Sequence, residues 1–390
     1  MKEHIAVDDR QPMRVVFVPY WGSGNPYQDA LAEHLSACGA EVVKMRSPRA
    51  LFRWGVFVRQ GIDVVHLHWL PSFGWEGLRL LRCMVFVTRL LLIRLQGIPI
   101  VWTIHNLMPH ESRHPRADWL IGRAVAGLAR AMIVHGETAR GEVIRRWGLR
   151  SARHVAVIPH GNYVDHYANH LSRSQARQRF GIDESKTVFL FLGAVRPYKG
   201  VLDLVESFRK LADAESCLII AGKPLDEAYR KQVQAAIGQV ANVHFDVGFV
   251  ADDDIQVYMK AADVVVLPYR NILSSGAALL AMSFGKACVA PARGCLSDVL
   301  DATGAFLYDP EDEEGLLHSL REALNKTDAL DRMGRHNQER AALWTWDKMA
   351  QTIADLYRGC LAAEDDDQRG ADEEKPPKEM SKACVQAHRQ

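Results

Sequence analysis

The chain has 390 residues, 48% of them hydrophobic and 24% charged, which is enough apolar material for large cores and favours two domains over one. Its formal net charge of +1 lacks the concentrated excess of Lys and Arg on which nucleic-acid binding runs, so any cationic function is local. The seven cysteines (Cys38, Cys83, Cys217, Cys288, Cys295, Cys360 and Cys384) contain no Cys-x-x-Cys pair, which argues against a disulfide framework or a zinc site and suits a reducing compartment.

Residues 1–12 form a polar leader without the apolar core of a secretory signal, so the expected location is cytoplasmic. Residues 13–19 read as a first buried strand, followed by a loop over 20–27 and a helix from about Gln28. Further apolar runs at 41–43, 63–68, 98–105, 131–135 and 155–159 alternate with helical stretches. That alternation indicates a parallel sheet with helical crossovers, a doubly wound domain.

The segment 80–95 is strongly apolar yet carries Arg82, Arg89 and Arg94. It is too short and too charged to span a bilayer, which needs roughly 20 apolar residues. It is either a core helix with an exposed arginine stripe or an interfacial helix with its arginines on lipid headgroups, in contact with the inner face of the membrane.

The pattern then restarts, with strands over 187–192, 216–221, 243–246, 264–267 and 287–290. The expected organisation is α/β with two doubly wound domains, 13–170 and 171–342, joined through a polar connection near 162–175. A helix over 343–361 carries Trp344 and Trp346 back toward the first domain, and the charged, Pro-containing stretch 362–390 reads as a disordered tail.

The chemistry concentrates at strand ends. The run 189–192 stops at Gly193 and delivers Arg196 and Lys199 before Gly200 and a helix. In open α/β sheets ligands bind beyond the carboxyl ends of such strands. A guanidinium can fork two diphosphate oxygens while an ammonium adds a compact charge, although solvated cations in an ordinary loop give the same pattern. Ser274, Ser275 and Gly276 open an apolar helix, whose first N–H groups lack internal partners and form an anion cradle; either serine also serves as N-cap. His105 and Glu111 follow the strand 98–105, and His66 and His68 share one strand face ahead of Trp69. His-x-His with His105 is a partial metal set that no carboxylate completes, so no metal is expected.

These motifs, taken in order over roughly 13–360, resemble the GT-B glycosyltransferases, especially the family-four group that uses nucleotide sugars. Val195-Arg196-Pro197-Tyr198-Lys199-Gly200 is similar to that family's diphosphate loop, and Asn271–Gly285 to its sugar-diphosphate loop. The resemblance implies a GT-B fold with an interdomain cleft and hexose transfer from a nucleotide sugar, GDP-mannose before a UDP-sugar. The implied acceptor is a polyprenyl-diphosphate-linked glycan of surface-polysaccharide synthesis, and no cofactor or metal is implied.

On this resemblance Arg196, Lys199, Gly200, Ser274, Ser275 and Gly276 hold the diphosphate, and Gly222, Phe249 and Val250 flank the base. His105 or Glu111 faces the sugar as base, and Tyr20, Trp21, Gly22, Gly24 and Trp69 lie on the acceptor side, with Phe73 and Trp75 as further aromatics. The family's two glutamates, eight positions apart, fall at Ile272 and Leu280, and neither is a carboxylate. That leaves a divergent branch, a substitute such as Asp298, or an inactive nucleotide-sugar-binding scaffold. An inverting β-mannosyl- or glucuronosyltransferase, with its base on the amino-terminal domain, is the alternative within the same fold.

Overall fold

The computed structural model describes residues 11–22, 26–46, 61–70, 78–107, 114–149, 154–238, 240–273 and 275–373. Strands β1 (Met13–Val18), β2 (Ala40–Lys44), β3 (Val64–Leu67), β4 (Ile100–Thr103), β5 (Ala131–Val134) and β6 (Val155–Val157) form one parallel sheet in the order β2-β1-β3-β4-β5-β6. Helices α1 (Tyr27–Ala37), α2 (Leu78–Arg94), α3 (Pro115–Leu128) and α4 (Glu137–Trp147) belong to this half. Every residue of β3, β4 and β5 is buried. This is why these strands read as unbroken apolar runs rather than alternating ones.

After α5 (Arg173–Gln178) come β7 (Thr187–Leu192), α6 (Val201–Leu211), β8 (Ser216–Gly222), α7 (Glu227–Ile237), β9 (Val243–Val247), α8 (Ile255–Ala261) and β10 (Val264–Val266). They are followed by α9 (Gly276–Ser283), β11 (Ala287–Pro291), α10 (Leu296–Val299), β12 (Ala305–Tyr308), α11 (Gly315–Asn325) and α12 (Thr327–Ala342). The second sheet is parallel in the order β12-β11-β10-β7-β8-β9, the strand order of dinucleotide-binding domains. β12 is absent from the sequence reading. Its four residues AFLY are too short a run to stand out, and only pairing with β11 from Cys288–Ala305 to Pro291–Tyr308 identifies them as a strand.

The chain crosses between the halves twice, and the crossings are tied together. Asn162 N donates to Trp344 O at 2.7 Å, Asn162 Nδ2 to Ala341 O at 2.8 Å, and Trp346 Nε1 to Asn162 O at 2.6 Å. A side chain at Gly161 would come within 2.3 Å of the Trp346 ring, so only glycine lets the two segments approach this closely.

The last helix, α13 (Trp346–Glu373), packs against α1, as expected of a helix returning to the first domain. It corrects the expected boundary at 361, because it runs on to Glu373. The anchor is Glu364, 6% exposed, which pairs with Arg94 of α2 and lies 3.6 Å from Arg130. A run of acidic residues reads as solvated from composition, but one of them is drawn inside by two buried-side cations. Residues 1–10 and 374–390, part of the expected leader and tail, lie outside the described residues.

Helix α2 seats Cys83, Phe86, Leu90 and Ile93 in the first core, each large apolar side chain contributing about 1.5–3 kcal/mol of burial. Its other face leaves Leu81, Met84, Leu91, Leu92 and Leu95 exposed. Among the described residues no helix is long and apolar enough to cross a membrane.

Candidate active site

In each sheet the strand order reverses beside the first strand of the unit. Loops there diverge to opposite faces and leave a crevice. In the first sheet the crevice lies between β1 and β3, whose following segments carry Tyr27 and Trp69. In the second it lies between β7 and β10, whose following segments carry Arg196, Lys199, Tyr269 and Ile272. The two crevices face one another. Tyr27, Trp69, His105 and Asn106 on one side and Tyr198, Lys199, Tyr269, Ile272, Ser275, Gly276 and Ala277 on the other, with His160 and Tyr163 of the crossover between them, line one open cleft of about 750 Å³.

The second-domain wall brings together a cation, a tight glycine turn and a helix start. Gly200, with φ +68°, lets the Arg196–Lys199 turn lie against the neighbouring loop, since a Cβ there would come within 1.9 Å of Pro268 O. Arg270 N donates to Tyr198 O at 2.9 Å and fixes the same contact from the other side. Lys199 places its ammonium 5.2 Å from the Tyr269 ring centre, a cation–π contact. Burial, reinforced by the nearby Arg196 charge, lowers its pKa to about 8. Across the cleft floor Ser275 caps α9, accepting from Ala278 N at 3.2 Å. The first N–H groups of that helix have no partner within it by its geometry, and they bring the positive end of the helix dipole to the cleft.

Gly222 stands at the end of β8 as expected, with φ +150° and its Cα hydrogens against Gly193 O, where a Cβ would sit at 1.8 Å. Phe249 is 68% exposed just beyond β9, and Val250 packs on the second core. Neither lines the cleft described above. Ile272 and Leu280, the positions without carboxylates, are a buried apolar wall residue and a half-buried helix residue. Asp298 reaches the first domain: Thr138 donates to its Oδ2 from N at 3.0 Å and to its Oδ1 from Oγ1 at 2.8 Å.

The first-domain wall is aromatic and imidazole-rich. His105 is 7% exposed and stacks on Trp69 with ring centres 4.2 Å apart. Its Nε2 lies 3.3 Å from His68 Nδ1. His68 in turn stacks on His66 at 4.3 Å, and His66 shares hydrogen bonds with Tyr357 Oη at 2.5 Å and Thr103 Oγ1 at 2.7 Å. His135 lies 5.7 Å from His105 and 5.3 Å from His160, while the Tyr27 ring contacts His105 and His160, each at 4.8 Å.

Burial, with the neighbouring imidazoles, lowers these pKa values, to about 3 for His66 and His160, while His68 and His105 also fall well below the ordinary range. Burial alone takes His135 to about 4, against its bond to Ile158 O. All five are neutral at pH 7. Among the described residues no three His, Cys, Asp or Glu side chains converge as metal ligands.

The expected acceptor-side aromatics divide. Trp69 lines the cleft, whereas Tyr20 gives its hydroxyl to Asp29 at 2.5 Å beneath Lys44, and Trp21, 64% exposed, stands beside Gly22 at the rim. Gly24, Phe73, Trp75, Glu111 and Ser274 lie outside the described residues. Of the aromatics in the 20–27 loop it is Tyr27 that lines the cleft, while sequence reasoning missed Tyr163, Tyr198, Tyr269 and Asn106 as wall residues. Tyr27 was legible from its place, the first helical position after the β1 loop. The others become visible only once the two domains face each other.

Comparison with known proteins agrees with this architecture. The family description "Glycosyl transferases group 1" matches residues 172–340 and "Glycosyltransferase Family 4" matches 16–165. A GDP-mannose:glycolipid 4-beta-D-mannosyltransferase of Xanthomonas campestris pv. campestris is 30% identical over 66% of this chain and 70% of its own length. A D-inositol 3-phosphate glycosyltransferase of Salinispora arenicola is 24% identical over 87% of this chain and 76% of its own. Among solved structures, sucrose-phosphate synthase from Thermosynechococcus elongatus superimposes with a TM-score of 0.73 at 19% identity, covering 91% of this chain and 100% of that one. Anabaena Alr3699/HepE in complex with UDP and glucose does so with a TM-score of 0.68 at 18% identity, covering 89% and 100%. With two doubly wound domains lining one cleft and these relatives, the chain belongs to the group 1, family-four-like glycosyltransferases of the GT-B fold, enzymes that act on nucleotide sugars.

Proposed function

We propose that this enzyme transfers mannose from GDP-mannose to a glycolipid acceptor with inversion at the anomeric carbon. The observation that carries the reading is the division of the cleft: cation and helix start on one wall, a neutral imidazole on the other, and apolar Ile272 where a carboxylate would otherwise face the sugar. A direct displacement needs that division, with the leaving group and the base on opposite sides of the ring. The relative named for GDP-mannose and a β-linked product supports it. Nucleotide sugars of this kind carry the hexose in the α linkage, so a β product requires inversion.

In the proposed step an acceptor hydroxyl oxygen forms a bond to C1 as the bond from C1 to the phosphate oxygen breaks. The electron pair leaves with GDP, and the hydroxyl proton passes to His105. Arg196, Lys199 and the α9 start match the charge that develops on the diphosphate, so no metal is needed for that role. Trp69 and Tyr27 offer apolar faces to sugar C–H groups while closure excludes water. The glycolipid reading also suits α2, whose exposed Leu81, Met84, Leu91, Leu92 and Leu95 are flanked by Arg82 and Arg89, a composition that binds an anionic lipid surface.

A thermal-shift screen with GDP, UDP and ADP, with and without EDTA, tests the donor, and NMR of the product anomeric proton tests the stereochemistry. We expect a shift with GDP of a size set by about 2.7 kcal/mol at 100 times Kd, insensitive to EDTA, and a β-linked product. An α-linked product overturns inversion, and a shift confined to UDP overturns the donor.

A further inference from the structure

Helix α4 begins with a cap that it cannot make itself. Its N-cap is Gly136, which has no side chain, and the Thr138 N–H is one of those that helix geometry leaves unpaired. The oxygens that satisfy Thr138 come from the other domain, in the two bonds from Asp298 of α10 described above. Gly136 also makes the approach possible, because a Cβ there would meet Asp298 Oδ2 at 2.2 Å. The carboxylate lies at the positive end of the α4 dipole, where an anion is favoured.

A second contact crosses the cleft nearby. Leu273, in the loop entering α9, is 4% exposed and joins the buried apolar cluster of the first sheet. The cradle residues Ser275 and Gly276 follow directly. Ser275, Asp298 and Gly136 then line a second interdomain cavity of about 830 Å³ on the other side of the α9 start. The anion cradle is thus held to the first domain from both sides, by an apolar anchor in its own loop and by a carboxylate on the next helix.

We infer that Asp298, capping α4 across the cleft, and Leu273, seated in the first core, are positioning residues that hold the Ser275–Gly276 helix start opposite His105 for transfer. The inference deepens the reaction proposed above and rests on it for the activity measured. The donor's diphosphate contacts all lie in the second domain, so breaking the cross-domain contact leaves nucleotide affinity in place and removes alignment. Alignment is what a displacement reaction is most sensitive to, and a misplacement of about 1 Å costs about 100-fold.

The test is a double-variant cycle on the full chain with Asp298→Ala, Thr138→Val and the pair, with Leu273→Ala alongside. It reads transfer kcat from GDP-mannose, Kd for GDP, the fraction of donor hydrolysed, and the radius of gyration of the ligand-free protein. We expect Asp298→Ala to lower kcat by about 10- to 100-fold and the pair to be no slower, since both break one contact. GDP affinity stays within about twofold, hydrolysis rises and the radius of gyration increases, and Leu273→Ala moves all four in the same directions.

A weakened GDP Kd in Asp298→Ala, additive with Thr138→Val, overturns the inference and makes Asp298 a donor ligand. An unchanged radius of gyration with kcat and melting temperature falling in parallel overturns it as well, leaving an ordinary helix cap. If the unsubstituted enzyme transfers no mannose from GDP-mannose, the donor reading falls, and the scattering comparison still decides whether Asp298 and Leu273 hold the domains together.

Discussion

The two halves of this enzyme are built on nearly the same parallel six-stranded plan and present opposite chemistries to the cleft. The first offers His105, backed by further buried imidazoles, with Tyr27 and Trp69; the second offers Lys199, a helix start and Gly276. The lesson is that the fold fixes where a ligand goes and the residues just past each strand end fix what it is. In the proposed reaction the charge of the second wall meets the diphosphate, and the imidazole of the first meets the acceptor hydroxyl.

The comparison is broken most severely at His105, the base of the proposed reaction. His105→Ala is expected to lower kcat by about two to four orders of magnitude while GDP affinity, measured by calorimetry, stays within a few-fold. Equal loss of both would mean that His105 belongs functionally to the donor wall.

Next in size, Arg196→Ala and Lys199→Ala should each lower transfer by about two to three orders of magnitude. Lys199 also sets a pH limit. With its pKa lowered to about 8, the free enzyme loses this charge as pH rises through that value. The ratio kcat/KM for the donor should therefore fall above pH 8, while kcat, measured with the diphosphate bound and the ammonium stabilised, falls at higher pH.

The smallest effect concerns stability. The buried imidazoles have folded pKa values below the unfolded 6.5, so below that pH the unfolded chain binds more protons and stability falls with pH. The cluster that carries this dependence lies in the first domain and crossover. Urea titrations at pH 7 and pH 5 should show a larger loss there, reported by Trp102 and Trp147, than in the second domain. The replacement His66→Asn should flatten that acid dependence; an unchanged slope would remove the cluster as its source.

Much of this was legible before any coordinates. Long apolar runs located all the strands of the first sheet and five of the second, because a strand buried on both faces leaves no polar alternation to confuse it. Arg196, Lys199, Ser275 and His105 could be placed at strand or helix ends from spacing alone. The rest depends on what crosses between distant segments. Asp298 sits in the short stretch 295–300, which fits a loop equally well, and nothing near it in sequence announces Thr138, 160 positions away. Glu364 is one acidic residue among several, and its partners Arg94 and Arg130 lie more than 230 positions back. Tyr163 and Tyr269 look like ordinary core aromatics until two walls are brought together.

The return of α13 to the first domain has a consequence for how the protein is made. Tyr357, which bonds His66 beneath the imidazole wall, follows the end of β6 by 200 residues (357 less 157). At about 5–20 residues per second of synthesis, the first sheet waits about 10–40 s with its last strand formed and its closing helix not yet made. Through that interval His66 and Arg94 wait without Tyr357 and Glu364, and the imidazole wall is completed last. The nascent chain thus finishes its second sheet before the first gains its closing helix.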